Sequence, residues 1–140
     1  MLYDVFDEVY MKFKVNFYKS IFRKMDERIG SLSATEAFAV ESIYALGQPT
    51  ISEFADFMNI SQPNATYKVN SLIRKGYVEK INSKEDKREY HLAVTQKFLD
   101  YYGSNDIYRR EVMERIEQYF SPEEVQQLER MLSTISKELM

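Results

Sequence analysis

One stretch of the chain, in which two short capped helices precede a β-hairpin, constrains the fold more than any other. Thr50 and Glu53 have the spacing of a capping box, in which each side chain satisfies a backbone N–H group at the start of a helix. Ser61 gives a similar start signal for a second helix, with Pro63 in its first turn, where a missing N–H does little harm. Asn59 suits the turn between them, since asparagine tolerates left-handed backbone angles. The sequence therefore predicts a helix–turn–helix.

The pattern changes from helical to strand-like at Tyr77. Residues 77–81 and 89–94 read as strands, and a charged, turn-forming stretch from Asn82 to Arg88 separates them. This pattern predicts a β-hairpin with a polar loop. Helix, turn, helix and hairpin in this order form a winged helix, in which the second helix enters the major groove of DNA and the hairpin reaches the phosphate backbone or the minor groove.

Helical patterns also precede this lobe. Apolar residues recur at steps of three and four and predict one stripe of a long helix: Leu2, Phe6, Val9, Phe13, Phe17, Ile21 and Met25. Gly30 and Ser31 break that helix. Ser33 and Glu36 then form another capping box. The helix that it opens is predicted to end at Gly47, with three residues facing inward: Val40, Ile43 and Leu46.

From about Gln96 onward the chain returns to helix. The segment 121–124 is a third capping box, with Pro122 at the first helical position. The apolar residues after it are spaced 3, 4, 3 and 4, which is the repeat of a coiled-coil seam: Val125, Leu128, Leu132, Ile135 and Leu139. So short a seam needs a covering helix, either in this chain or in a second copy.

The fold class predicted is mainly α with a small β-hairpin wing, a winged helix–turn–helix flanked by N- and C-terminal dimerisation helices. At 140 residues the chain fits one domain, with residues 1–29 and 96–140 as the dimerisation helices and 32–95 as the winged-helix lobe. The predicted partner is a second copy of the chain, although packing within one chain also explains the seam. The residues predicted at the dimer interface are Val5, Phe6, Val9, Phe13, Val125, Leu128, Leu132, Ile135 and Leu139.

Composition excludes several classes of site. Hydrophobic residues make up 44% of the chain, which is ample for a buried core. The chain has no cysteine, so disulfides, thiolate nucleophiles and cysteine-based zinc sites are excluded. His91 alone cannot build a histidine-rich metal site, and we find no catalytic triad, metal-ligand cluster or glycine-rich phosphate loop. We predict no cofactor, no metal site and no enzymatic activity.

The sequence also bears on location. No apolar run approaches the roughly 18 residues that would span a bilayer. The first residues show no basic region followed by the apolar core of a signal peptide. We therefore expect a cytoplasmic protein without a membrane partner.

Charge is distributed unevenly along the chain. The whole chain has a net charge of −3, but residues 61–92 carry seven basic side chains against four acidic ones, a net charge of +3. A basic segment on an acidic body would meet a polyanion such as double-stranded DNA with one face.

The second helix of the helix–turn–helix has a polar exposed side. Asparagine and glutamine pair with adenine, whereas lysine, hydroxyl groups and helix N-termini bind phosphate. The residues predicted at DNA on this recognition helix are Ser61, Gln62, Pro63, Asn64, Thr66, Tyr67, Lys68 and Asn70. Those predicted on the wing are Lys84, Asp86, Lys87 and Arg88, of which Arg88 is best placed for a narrow minor groove. An ordinary solvated face is the alternative for both sets.

The stretch from Leu32 to Thr95 resembles the MarR family of bacterial transcriptional regulators. The matching features, in order, are Leu32-Ser33, Glu53-Phe54-Ala55, Ile60-Ser61-Gln62-Pro63-Asn64-Ala65-Thr66, Leu72, Lys75-Gly76-Tyr77-Val78, Asp86-Lys87-Arg88 and Leu92-Ala93-Val94-Thr95. The aspartate-x-arginine wing after a lysine–glycine turn is the most specific of them. Together they cover about half of the chain.

The resemblance implies a symmetric dimer on a pseudo-palindromic operator, with the two recognition helices in successive major grooves. It places these residues at the DNA: Ser61, Pro63, Asn64, Thr66, Lys68 and, on the wing, Arg88 with Asp86 shaping it. Family members often bind small lipophilic or phenolic ligands between the DNA lobe and the dimer helices, which would change the separation of the recognition helices. The predicted ligand-pocket residues are Phe13, Phe17, Phe22 and Tyr101, although such aromatic stripes are more often core or dimer interface.

Two positions depart from the family pattern. Phe98 stands where the family usually has glycine after Thr95-Gln96-Lys97, and Lys68 lacks the arginine often seen near it. The leading prediction is a sequence-specific repressor that a small ligand releases from DNA. The weakly basic recognition helix and the acidic pI of about 5.3 favour one alternative, a winged-helix module that binds another protein.

Overall fold

A computed structural model describes the chain except residues 27–31, 84, 86 and 87 and the side chains of residues 25, 26, 104 and 105. The chain forms two compact units, Met1–Ser104 and Asn105–Met140. The helices are α1 (Leu2–Asp26), α2 (Ala34–Ala45), α3 (Ile51–Met58), α4 (Gln62–Arg74), α5 (Gln96–Tyr119) and α6 (Pro122–Thr134), and a π-helical turn follows at Ile135–Leu139. The strands are β1 (Val78–Asn82) and β2 (Tyr90–Val94). The predicted fold class is confirmed.

The predicted start signals act as local hydrogen-bonding groups. Ser33, Thr50 and Ser121 each accept a hydrogen bond from the backbone N–H three residues later, and the glutamate at that position reaches back to the cap. Ser61 caps α4 by accepting from the backbone N–H of Asn64 at 3.3 Å. Each cap satisfies donors that a helix start otherwise leaves unpaired, so the helix boundaries follow from the sequence.

The turn between α3 and α4 is set by Asn59. Its backbone lies in the left-handed region, with φ 53° and ψ 48°, as the sequence predicted. The N–H of Ile60 bonds to the carbonyl of Ala55, which closes the end of α3. The turn therefore fixes the angle at which α4 leaves α3.

The hydrophobic core of the first unit brings together α2, α3, α4, the hairpin and the start of α5. Its buried members are Ala39, Val40, Ile43, Phe54, Ala55, Ala65, Val69, Leu72, Tyr77, Val78, Leu92, Phe98 and Tyr101. The predicted inward positions Val40 and Ile43 are confirmed. The same prediction is wrong for Leu46, which is exposed because α2 ends at Ala45 and Leu46 is the C-cap residue.

Phe98, the first departure from the family pattern, is a core residue. Its side chain is fully buried in the first turn of α5. The ring centroids of Tyr44, Tyr102 and Tyr101 lie 5.3, 5.5 and 6.3 Å from its own. These separations suit offset or tilted aromatic pairs. The helix start is preserved, and the large ring fills space between α2 and α5.

The hairpin is antiparallel, with its register running from Val78 opposite Val94 to Asn82 opposite Tyr90. It is held against the start of α3 by His91, whose Nδ1 lies 2.7 Å from the carbonyl oxygen of Gln48. Thr50 and His91 also form an isolated antiparallel bridge. His91 therefore has a packing role, in line with its interpretation from the sequence.

The C-terminal end of α1 is anchored in the first unit by Ile21 and Lys24, both buried. The Lys24 ammonium group donates a hydrogen bond to the backbone carbonyl of Tyr101 at 2.6 Å and lies 3.9 Å from the centroid of the Tyr101 ring. Burial lowers the pKa of Lys24 to about 8, with Glu41 opposing the shift and Arg23 adding to it. A buried cation thus ties α1 to α5.

In the second unit, the seam residues Val125 and Leu128 on α6 are half-buried. Leu132, Ile135 and Leu139 are exposed. Ile135 and Leu139 lie in the π-helical turn, so the predicted α-helical spacing holds only up to Thr134.

None of the described helices is long and apolar enough to cross a membrane. The described part of the chain also holds no group of three or more histidine, aspartate or glutamate side chains arranged to bind a metal ion.

Candidate nucleic-acid interface

The recognition helix α4 presents one face to the core and one to solvent. Ala65, Val69 and Leu72 are buried. At 100° per residue, the positions opposite this buried stripe are Pro63, Tyr67, Asn70 and Arg74. Pro63, Tyr67 and Arg74 are exposed and Asn70 is half-buried. The protein therefore offers a stripe of mostly polar side chains along the whole length of α4.

The residues predicted at DNA on α4 fall into two groups. The exposed ones are Ser61, Gln62, Pro63, Asn64 and Tyr67. The half-buried ones are Thr66, Lys68 and Asn70, which lie between the outward stripe and the core. The Thr66 hydroxyl donates to the carbonyl of Gln62 at 3.0 Å, so its proton is engaged within the helix and only its acceptor capacity faces outward.

Arg74 is a candidate contact residue that the sequence-based set missed. It is exposed in the last turn of α4, seven residues after Tyr67 on the same face. The recognition helix therefore has a second basic residue besides Lys68. The i, i+4, i+7 and i+11 spacing from Pro63 was visible in the sequence and would have identified it. The last turn of a recognition helix commonly faces the DNA backbone, which suits a guanidinium group.

The wing is described only in part. Lys84, Asp86 and Lys87 lie outside the described residues. Arg88 is exposed in a turn two residues before β2. The N–H of Ser83 bonds to the carbonyl of Glu89 at 3.0 Å, which closes the base of the loop, and the Lys80 ammonium lies 4.5 Å from the centroid of the Tyr90 ring. The loop that contains Arg88 is therefore held at its base by two paired strands.

Glu36 joins the start of α2 to the end of α4. Its carboxylate accepts from the Lys75 ammonium at 2.9 Å and from the Ser71 hydroxyl at 3.1 Å. Burial alone would raise the pKa of Glu36, but these two partners and Ser33 outweigh it and lower the pKa. The charged form of Glu36 therefore helps to hold α4 in place.

The junction between α4 and the hairpin is fixed by backbone-directed hydrogen bonds. Gly76 adopts a φ of 84°, the left-handed region that glycine enters without strain. The Thr95 hydroxyl donates to the carbonyl of Gly76 at 2.5 Å, and the Lys97 ammonium donates to the carbonyl of Lys75 at 2.7 Å. These bonds set the position of the wing relative to α4.

The residues predicted at a dimer interface are largely uncovered in the single chain. On α1, Val5, Phe6 and Val9 are exposed and Phe13 is half-buried. On α6, Val125 and Leu128 are half-buried and Leu132 is exposed, as are Ile135 and Leu139 beyond it. An interface between copies therefore stays a prediction, which these apolar faces support.

The four residues predicted to line a ligand pocket occupy different environments. Phe13 and Phe17 are half-buried on α1, and Phe22 is 62% exposed. Tyr101 is in the core, with its ring 6.0 Å from that of Tyr77. A groove of about 580 Å³ lies in the second unit, lined by other residues: Val112, Arg115, Ile116, Gln118, Tyr119 and Phe120. The ligand pocket therefore stays a prediction.

Comparison with known proteins agrees with this architecture. The MarR family model matches residues 32–90. No protein of curated function matches the sequence. Among solved structures, a mutant of MepR from a multidrug-resistant S. aureus isolate is 14% identical, with a TM-score of 0.66 over 100% of this chain and 98% of that one. The transcriptional regulator Tm0710 of Thermotoga maritima is 18% identical, with a TM-score of 0.62 over 96% and 91%.

A third similar structure is FabT of Streptococcus pneumoniae in complex with DNA. It is 21% identical, with a TM-score of 0.58 over 99% of this chain and 97% of that one. At these identities the structures show a shared fold. The family model and the fold agree on the same elements: residues 32–90 are similar to the MarR family, and the chain shares the fold of these structures.

Proposed function

We propose that the protein is a sequence-specific DNA-binding transcriptional regulator, a repressor that acts as a homodimer on a pseudo-palindromic operator. The observation that carries this proposal is the polar outward stripe of α4 beside a hairpin that bears Arg88. The fold similarity to FabT, whose structure contains DNA, supports the same use of the lobe. In the proposed complex, α4 enters the major groove and the wing lies along the backbone or in the minor groove.

The direct test is a salt titration of duplex binding with the DNA upstream of the protein's own gene and a scrambled duplex. We expect preferential binding to the first duplex, with log Kobs falling linearly as log salt rises, because phosphate contacts release counterions. Arg88→Ala should weaken binding by roughly threefold to tenfold and make the salt dependence shallower.

Arg115→Ala is the matched control, since Arg115 is an exposed arginine of α5 in the second unit. It changes the net charge equally and should leave binding close to that of the wild type. Equal weak binding to both duplexes, unaffected by either substitution, would contradict the proposal. That result would favour the alternative of a winged helix that binds another protein.

The homodimer makes a separate prediction. Phe6→Glu on α1 or Leu132→Glu on α6 should convert dimers to monomers in sedimentation velocity, because a charge would replace an apolar side chain in a buried interface. Phe57→Glu is the matched control, since Phe57 on α3 is 58% exposed and Phe6 is 61% exposed. A wild-type monomer, or equal dissociation in all three variants, would contradict dimerisation through these helices.

We also propose that a small lipophilic or phenolic effector releases the protein from DNA. This part rests on the family resemblance and on an aromatic cluster of Tyr44, Phe98 and Tyr102, in which Tyr44 is partly exposed. Unchanged duplex affinity across a panel of phenolic compounds would count against it.

A further inference from the structure

We propose that Tyr67 is a specificity-determining residue of α4, that its ring packs against a thymine 5-methyl group, and that the preferred half-site is rich in A·T pairs. This inference rests on the proposed DNA-binding function. It assigns to one side chain a role in choosing the sequence, beyond contact with DNA in general.

Tyr67 is a large, exposed side chain on the outward face of α4. It is 71% exposed in the second turn of α4, on the same outward stripe as Asn70 and Arg74, and the other side of the helix is anchored by Ala65 and Val69. No described ring or cation lies against it. A large flat side chain on the outermost line of a recognition helix is placed to enter a groove and to bury its apolar face there.

The side chains near Tyr67 on α4 carry amide groups. Gln62 and Asn64 are exposed in the first turn of α4, and Asn70 lies one turn beyond Tyr67. Side-chain amides pair bidentately with the N6 and N7 atoms of adenine, and apolar groups contact the thymine methyl. The amide groups would recognise adenine and the tyrosine ring would recognise thymine, which are the two members of the same base pair.

The basic residues of α4 lie away from the exposed positions of its first two turns. Guanine is read most often by arginine or lysine that bonds to its O6 and N7 atoms. The exposed positions of the first two turns of α4 contain neither residue. Lys68 is half-buried on the flank, and Arg74 lies in the last turn, where phosphate is the nearer partner. The face that meets base edges therefore suits A·T pairs.

The experiment begins with selection of duplexes from a randomised pool by the full-length protein. The recovered half-site is then remade with uracil in place of each thymine, which removes only the 5-methyl group. At one position the exchange should weaken wild-type binding by about fourfold, the value of one buried methyl group. In Tyr67→Ala the same exchange should have no effect, because the ring that contacts the methyl is gone.

Tyr67→Phe is the matched control, since it keeps the ring and removes the hydroxyl group. It should retain the sensitivity to uracil, which would exclude a phosphate contact through the hydroxyl as the source of the effect. Thermal unfolding of all three proteins should coincide, because Tyr67 is exposed. Coincident unfolding separates a loss of recognition from a loss of fold.

Three results would overturn the inference: selection of G·C-rich half-sites, equal sensitivity to uracil in wild type and Tyr67→Ala, or a uniform loss across sequences in Tyr67→Phe. Any of them would leave the DNA-binding function standing. Absence of salt-dependent binding to every duplex would instead reject the proposed function itself.

Discussion

Phe98→Ala is expected to lower the free energy of unfolding by about 3–5 kcal/mol, the usual cost of removing a buried phenyl ring. Phe98 is fully buried, and three tyrosine rings surround it: Tyr44, Tyr101 and Tyr102. The substitution removes its transfer free energy, leaves a cavity and abolishes three aromatic contacts at once. Urea denaturation followed by circular dichroism measures the change.

Phe98→Leu is the matched control for this prediction. Leucine keeps much of the apolar volume but none of the ring contacts, so we expect a loss smaller than that of alanine. A loss below about 1 kcal/mol in Phe98→Ala would show that neighbouring side chains close the space. It would also show that this residue, which stands where the family usually has glycine, adds little to the core.

Local signals in the sequence predicted the order of the elements and most of their ends. Capping residues such as Ser33 and Thr50 act through backbone groups at most three residues away, so they can be recognised without tertiary structure. Periodicity identified the buried stripe of α4 for the same reason. The fold class followed because these local preferences agree with one another.

Other features depend on where helices end or on which helices contact one another. No local signal in the sequence shows this. Leu46 continues the apolar period of α2 but lies beyond its last turn, so it is exposed. Ile135 and Leu139 keep a heptad spacing across a turn that is not α-helical. Lys24 has no sequence signal for burial, because its partners in α2 and α5 are distant in the chain.

The sequence likewise predicted only part of the candidate site. The pattern identifies the polar residues of α4, but the predicted contact set ends at Asn70 and so lacks Arg74 in the last turn. The sequence also could not show that the Thr66 hydroxyl bonds to the carbonyl of Gln62. The chemistry of a helix face is thus visible in sequence, whereas the availability of each group requires coordinates.

The second large effect is expected when the pH is raised, and it concerns the free energy of unfolding. The pKa of Lys24 is lowered from its ordinary value of 10.5 to about 8, first because burial disfavours the charged form. Arg23 adds to this shift and Glu41 on α2 opposes it. Above pH 8 the folded chain has released the Lys24 proton while the unfolded chain still holds it. Stability from this group therefore rises with pH through that window, because the unfolded state binds more protons.

Tyrosine ionisation sets the upper limit of the pH range in which stability rises. Burial, with Glu41 and Tyr77, raises the pKa of Tyr101 to about 12, and burial raises the pKa of Tyr77 as well. These raised values stabilise the fold below the ordinary tyrosine pKa of 10, and that contribution is lost as the pH rises above 10. Between pH 8 and 10 the contribution of Lys24 should increase the free energy of unfolding by about 2 kcal/mol.

Urea denaturation at intervals from pH 7 to 10 tests this expectation, with Lys24→Met as the decisive variant. Methionine keeps the length of the side chain and cannot titrate, so the rise seen in the wild type should be absent, whatever the variant's stability at pH 7. Lys12→Met is the matched control, because Lys12 is an exposed lysine of α1 paired with Glu8, and it should keep the rise. Parallel profiles for wild type and Lys24→Met would mean that Lys24 does not lose its proton in the folded chain. The Lys24 ammonium group, which bonds to the carbonyl of Tyr101, would then remain charged from pH 7 to 10. Burial of this group would not weaken the hydrogen bond.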